Sequence, residues 1–241
     1  QVKLIDGNRG RITADEVRAA LNPTDIHKPP SRLVSLENTS NRGGGSCYDI
    51  KEIEKIKELC NREKLRLHLD GARLFNALVA RNEKPAAYGT LFDSISICLS
   101  KGLGAPVGSV LLGKKDFIYR ARRIRKTLGG GMRQAGYLAA AGLYALQHHI
   151  NRLSEDHAHA RQIAGVLEKQ HFVKSIMPVE TNIIVFDVNP PYTAARITGK
   201  LEEKGVLVNA VSAMRVRIVT HLDISPAMAE AACGVLTGFE I

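Results

Sequence analysis

The stretch DSISICLSKGLGAPVGSVLLG, residues 93 to 113, decides how this chain is read. Ser94 to Leu99 is a short apolar run with β-branched residues, of the kind found in a buried strand, and it ends at Ser100-Lys101. A lysine at the end of a buried strand is costly to place unless it pairs or reacts. Partial desolvation there lowers an amine's pKa and makes it nucleophilic. Gly102 and Gly104 leave room for a bulky ring beside it. Val107 to Leu112 reads as a neighbouring strand. From this segment alone, an ordinary lysine in a surface turn stays equally open.

Working outward, Leu65 to Leu69 reads as a second strand that ends at Asp70, within HLDGARLFNA, residues 68 to 77. A carboxylate at that point can cap a following helix, or it can face a flat ligand across the small residues Gly71 and Ala72. Upstream, Thr13 to Leu21 carries a Thr cap and first-turn acids and predicts a helix. Leu33 to Leu36 predicts a strand, and Glu37 to Ser46 a glycine-rich loop. Asp49 to Glu63 predicts an amphipathic helix with Ile50, Ile53, Ile56 and Leu59 on one face. Strands alternating with helices imply βαβ units and a largely parallel sheet, with ligands at the carboxyl ends of the strands. Asp70 and Lys101 both stand at such ends.

Downstream, Met132 to Glu168 is Ala-rich and helical, as one long helix or a pair. Thr181 to Val188, Gly205 to Asn209 and Val216 to Thr220 predict strands, while Thr193 to Lys204 and Ser225 to Gly238 predict helices. The expected fold class is therefore α/β for residues 1–135, followed by a connecting helix and a small α+β domain over 136–241.

Composition narrows the function classes. With 44% apolar and 24% charged residues, the 241-residue chain reads as globular. No apolar run reaches the ~20 residues of a membrane helix, and QVKLIDGNRG at the start has no signal-peptide core. Neither membrane attachment nor a secreted form is expected, and the reading is cytoplasmic. The four cysteines form no CxxC pair, so no metal site is expected. The net charge of +10 suits anionic partners, yet there is no Trp and no nucleic-acid-binding signature, so nucleic acid is not the expected partner.

HLDGARLFNA, DSISICLSKGLGAPVGSVLLG and RKTLGGGMRQAG (residues 125 to 136), in that order and spacing, resemble the threonine aldolases, which are aspartate-aminotransferase-like (fold type I) enzymes dependent on pyridoxal 5′-phosphate (PLP). The likeness runs from IHKPPSRLVSLENTSNRGG, residues 26 to 44, to VRIVTHLDIS, residues 216 to 225. It implies that Lys101 carries PLP as a Schiff base, with Ser100 beside it, and that Asp70 faces the pyridinium nitrogen. It implies that Arg73 stands near the cofactor and the substrate carboxylate, and that Arg217 grips that carboxylate. His27 would lie by the substrate's β-hydroxyl as the base, and Arg133 and Lys126 would reach a neighbouring subunit's cofactor phosphate. Arg215 lies on the same side of its strand as Arg217, so the register between them stays open. His221 is either an orienting neighbour of Arg217 or a packed histidine. The implied reaction is retro-aldol cleavage of L-threonine or L-allo-threonine to glycine and acetaldehyde, in a homotetramer with active sites at subunit interfaces. A β-eliminating amino-acid lyase or a catalytically incomplete fragment are the alternatives.

Two departures stand out. Members of that family carry roughly a hundred further residues ahead of the point matching Gln1, including a Gly/Ser/Thr loop for the phosphate and a ring-stacking residue, so the large domain is expected to be incomplete at its N-terminus. The family's Glu-Asn-Thr-His-Asn reads Glu37-Asn38-Thr39-Ser40-Asn41 here, which is expected to touch substrate discrimination if position 40 shapes the pocket.

Overall fold

The structure is a computed structural model and describes residues 1–240. The chain divides into two compact units, one of residues 1–43 and 47–150, the other of residues 44–46 and 151–240.

The first unit is built on a four-stranded sheet of order β1-β2-β3-β4, formed by Leu33–Glu37, Arg66–Gly71, Ser94–Cys98 and Ser109–Gly113. The first three strands run parallel, and β4 runs antiparallel to β3, so the sheet is mixed. Helix α1 (Ala14–Ala20) precedes β1, and α2 (Ile50–Arg62) links β1 to β2. Helices α3 (Leu74–Arg81) and α4 (Pro85–Leu91) link β2 to β3, while α5 (Lys115–Thr127) and α6 (Gly136–His148) follow β4.

Period-two alternation explains the two faces of this sheet. Val34 and Leu36, Leu67 and Leu69, and Ile95 and Ile97 are buried. They meet α2, whose Ile53, Ile56, Leu59 and Cys60 recur at helical spacing and are fully buried. Asp49 starts that helix by accepting a hydrogen bond from the Lys51 amide, 2.9 Å. The opposite face is polar. Ser35, His68 and Ser94 lie side by side across it, with His68 Nδ1 2.8 Å from Ser94 Oγ, and Glu37, Asp70 and Ser96 form the next rung. At the amino end, Asp93 accepts from the Leu67 amide at 2.9 Å and pairs with Arg66 at 2.9 Å and Lys57 at 3.2 Å, which fixes where β2 starts against β3.

The second unit is an antiparallel sheet of order β5-β6-β8-β7, made of Val173–Ile176, Ile183–Val188, Arg215–Val219 and Asn209–Ser212. Helices α7 (Leu153–Leu167), α8 (Ala194–Glu203) and α9 (Pro226–Thr237) accompany it. Phe172, Ile184, Phe186, Val216, Ile218 and Leu236 belong to its single apolar core. The strand expected at Gly205 to Asn209 is displaced. Gly205 adopts a left-handed φ of 78° and closes the end of α8 through its amide to the Glu202 carbonyl, 2.8 Å, so pairing starts only at Asn209. The helical stretch 132–168 is a pair, α6 and α7.

His157 on α7 is only 3% exposed, and burial, helped by Arg161, pushes its pKa down to about 4. The folded imidazole is thus neutral where an unfolded one, near 6.5, takes a proton. Its contribution to stability is complete above pH 6.5 and is lost as pH falls toward 4, at about 3 kcal/mol over the whole window. Urea unfolding at pH 7 and pH 4.5 is expected to show a fall in stability that is clearly smaller in His157→Phe than in the wild-type chain. Parallel pH profiles for the two proteins would remove His157 as the cause.

Candidate active site

The first unit gathers polar groups at the carboxyl ends of its parallel strands. Asp70 is the last outward-facing residue of β2 and is exposed on the polar face. One of its carboxylate oxygens accepts from the Ala72 amide at 3.0 Å, within the turn that leads from β2 to α3, while the side chain remains open to the face. Its rung partners are Glu37 and Ser96. A Cβ at Gly71 would come within 2.7 Å of the Ser96 carbonyl, so only glycine lets β2 approach β3 this closely just beyond Asp70. Arg73 stands half-buried at the start of α3.

Lys101 follows the neighbouring strand, β3, at the same end of the sheet. It is half-buried, next to exposed Ser100. The Gly104 amide donates to the Lys101 carbonyl at 2.8 Å, with Gly104 at φ 67°, so Lys101 opens a tight turn. The amide of Ala105 returns to the Leu99 carbonyl at 2.9 Å and closes the base of that turn.

His27 is not brought to this end. It sits in the loop between α1 and β1, its side chain 84% exposed and its Nδ1 3.0 Å from Asp25. That loop lines a cavity with Glu63 and Leu65, which precede β2, so it lies at the amino ends of the strands. Lys126 and Arg133 do come together. With Arg122, Arg123 and Arg125 they line a surface cavity of about 710 Å³.

In the second unit, Arg215 and Arg217 point to one side of β8, but their partners differ. Arg215 is clamped in a bidentate pair with Asp187, at 2.7 and 3.0 Å, which holds the Asp187 carboxyl below its usual range. Arg217 is half-buried opposite Val185. The end of β8 is pinned by Thr220, whose hydroxyl donates to the Asp156 carbonyl at 2.6 Å and whose amide donates to the Asn182 carbonyl at 3.0 Å. His221 is near Asp223, 3.4 Å.

Ser40 is buried, and its hydroxyl accepts from the Gly43 amide at 3.3 Å. A Cβ at Gly10 would overlap the Ser40 side chain. Ser40 is thus packed into its loop against a glycine turn. Sequence reading also passed over the Glu37–Asp70–Ser96 rung and the Asp187 clamp. The alternation Ser94-Ser96-Cys98 beside Ile95-Ile97 carries a signal for the first. The second has no local signal, because its members are far apart in sequence.

Comparisons with known proteins show the family. A model of the family described as beta-eliminating lyase matches residues 1–190. The chain belongs to that family. A probable low-specificity L-threonine aldolase 2 of Arabidopsis thaliana is 47% identical over 204 residues, covering 83% of this chain and 58% of the relative. The low specificity L-threonine aldolase of Escherichia coli strain K12 is 43% identical over 216 residues, covering 90% and 62%. The chain therefore spans about three fifths of the length of those relatives. A solved putative aromatic amino acid beta-eliminating lyase/threonine aldolase from Exiguobacterium sp. 255-15 superposes with a TM-score of 0.80 at 26% identity, over 98% of this chain and 67% of that one. A histidinol-phosphate aminotransferase from Clostridium acetobutylicum shares the fold alone, with a TM-score of 0.69 at 12% identity over 97% of this chain and 69% of that one. The fold class is the fold type I class expected from the sequence.

Proposed function

We propose that this chain is part of a PLP-dependent aldehyde-lyase that cleaves L-threonine or L-allo-threonine to glycine and acetaldehyde. The observation that carries the reading is the lysine and the carboxylate at the same ends of two adjacent parallel strands, in a family whose relatives are named low-specificity L-threonine aldolases. The residues present fit the cofactor's amine-bound and pyridine ends: a half-buried primary amine opening a glycine-flanked turn, and an open carboxylate one strand away. Among the described residues, the α1 terminus does not offer itself to a phosphate. The α1 terminus is already closed by its own capping box between Thr13 and Glu16.

In this reading PLP, when bound, supplies the electron sink that makes breaking the Cα–Cβ bond accessible. Lys101 would hold the cofactor through its side-chain amine. Asp70 holds a proton on the pyridine nitrogen. Arg217 binds the substrate α-carboxylate as a planar fork, and the commitment of Arg215 to Asp187 supports choosing Arg217 over Arg215. Arg73 and Ser100 flank the cofactor. Lys126 and Arg133 serve a neighbouring subunit's cofactor phosphate, supported by the basic cavity they share. A homotetramer is supported by the apolar surface left open at Leu111, Leu112, Tyr119, Ile124 and Leu128. We place the protein in the cytoplasm, supported by cysteines that form no disulfide among the described residues. Among the described residues no helix is long and apolar enough to cross a membrane. The proton acceptor for the β-hydroxyl is left unassigned, because His27 lies at the other end of its own sheet.

Supplying the purified protein with PLP and L-threonine is expected to release acetaldehyde and glycine. Ammonia and a keto acid in their place would make it a β-eliminating lyase, and no product from a folded, PLP-loaded protein would make it an incomplete fragment. Arg217→Ala is expected to raise KM for threonine about 30-fold or more, the scale of a lost charge-assisted pair, while Arg215→Ala acts mainly on stability. The reverse pattern would transfer the carboxylate to Arg215.

A further inference from the structure

The turn that presents Lys101 closes on two backbone hydrogen bonds of its own, Gly104 to Lys101 and Ala105 to Leu99, and carries the permissive residues Gly102 and Gly104. Contacts from outside the turn add to what holds its conformation. Helix α6 approaches the turn at two points. A Cβ on Gly142 would come within 2.9 Å of Leu99 Cδ1, so the helix lies close against the exit of β3. At the end of α6, His149 Nδ1 is 2.7 Å from the carbonyl oxygen of Leu103, the residue between the two glycines. A carbonyl only accepts, so Nδ1 carries the hydrogen and donates it. The Tyr144 ring meets the His149 ring edge-on, with centroids 5.4 Å apart, and orients it. Leu103 itself is 3% exposed, so its carbonyl sits in a segment where a lost donor is poorly replaced by water.

We infer that His149 is the positioning residue for Lys101: by holding the Leu103 carbonyl it keeps the glycine-flanked turn in the conformation that presents the lysine amine. The functional part of this inference rests on the reading of Lys101 as the cofactor-bearing lysine. The sequence marks His149 only as one of two adjacent histidines in a helical stretch, and the chemistry proposed above gives it no task.

Two variants separate donor from shape: His149→Leu fills the space without a donor, and His149→Asn keeps one. The first readout is hydrogen exchange at the Gly104 and Ala105 amides, both of which bond within the turn. The second is the acylation rate of Lys101 against exposed Lys169 in the same chain, measured by peptide mass spectrometry. His149→Leu is expected to speed exchange at those two amides about fivefold to tenfold, the scale of one hydrogen bond. It should also change the Lys101 rate by at least about threefold, with α2 and β2 protected as before. His149→Asn is expected to stay within about twofold of wild type in both. An unchanged Lys101 rate in His149→Leu, equal effects of the two variants, or exchange accelerated throughout the unit would overturn the inference. Neither readout uses the cofactor. Failure of the cofactor reading, seen as no PLP attached to wild-type Lys101, is therefore distinguishable from failure of this one.

Discussion

Lys101→Ala is expected to abolish covalent attachment of PLP and to lower threonine cleavage by at least about 10³-fold, because no other group in the turn can do a primary amine's work. The physical basis is position as much as chemistry. Lys101 opens the turn after β3, half-buried at the carboxyl edge of the sheet, where the Leu99–Ala105 and Lys101–Gly104 hydrogen bonds hold it. Unit 1 keeps its fold in the variant, since the core made by Leu67, Leu69, Ile95, Ile97 and α2 does not involve this side chain. Circular dichroism and thermal unfolding close to wild type, with turnover gone, is the expected pair of results. Retained turnover would move the covalent role to another lysine, and lost folding would make Lys101 a structural residue.

Asp70→Asn is the second large effect. The substitution preserves shape and the hydrogen bond from the Ala72 amide, because the amide oxygen still accepts. What it removes is the negative charge that keeps a proton on the pyridine nitrogen. A preorganised electrostatic partner of this kind is worth about 10² to 10³ in turnover. The loss should appear in kcat, with KM for threonine little changed, since Asp70 has no contact with substrate in the proposed site. A change confined to KM would assign Asp70 to substrate binding, and no change at all would leave it as the acceptor of the Ala72 amide in the turn after β2.

How much of this was legible in the sequence depends on the range of the forces involved. Strands β1, β2 and β3 could be read because Leu33–Leu36, Leu65–Leu69 and Ser94–Leu99 are short apolar runs, while the polar face set by the pleat was passed over. Helix α2 could be read because Ile53, Ile56 and Leu59 recur at helical spacing. The strand after Gly205 was misplaced because the left-handed glycine that ends α8 and the apolar run Val206 to Val208 look alike to a pattern of hydrophobicity. The placement of Lys101 and Asp70 at the carboxyl ends of β3 and β2 was legible because each ends an apolar run. The choice between Arg215 and Arg217 was not, since it turns on Asp187, a residue on another strand. The position of His27 was not legible either. Its loop feeds the amino end of β1, and only the parallel register of β1 with β2 shows that this end is opposite to Lys101. Whether position 40 shapes a pocket was not legible, and the close approach of Gly10 places Ser40 inside its loop.

The most direct test of the central claim is to incubate the protein with PLP, reduce with borohydride, and map the modified peptide by mass spectrometry. The account predicts that the pyridoxyl mass lies on Lys101 and disappears in Lys101→Ala. A folded protein that carries the mass on another lysine, or on none, would contradict it.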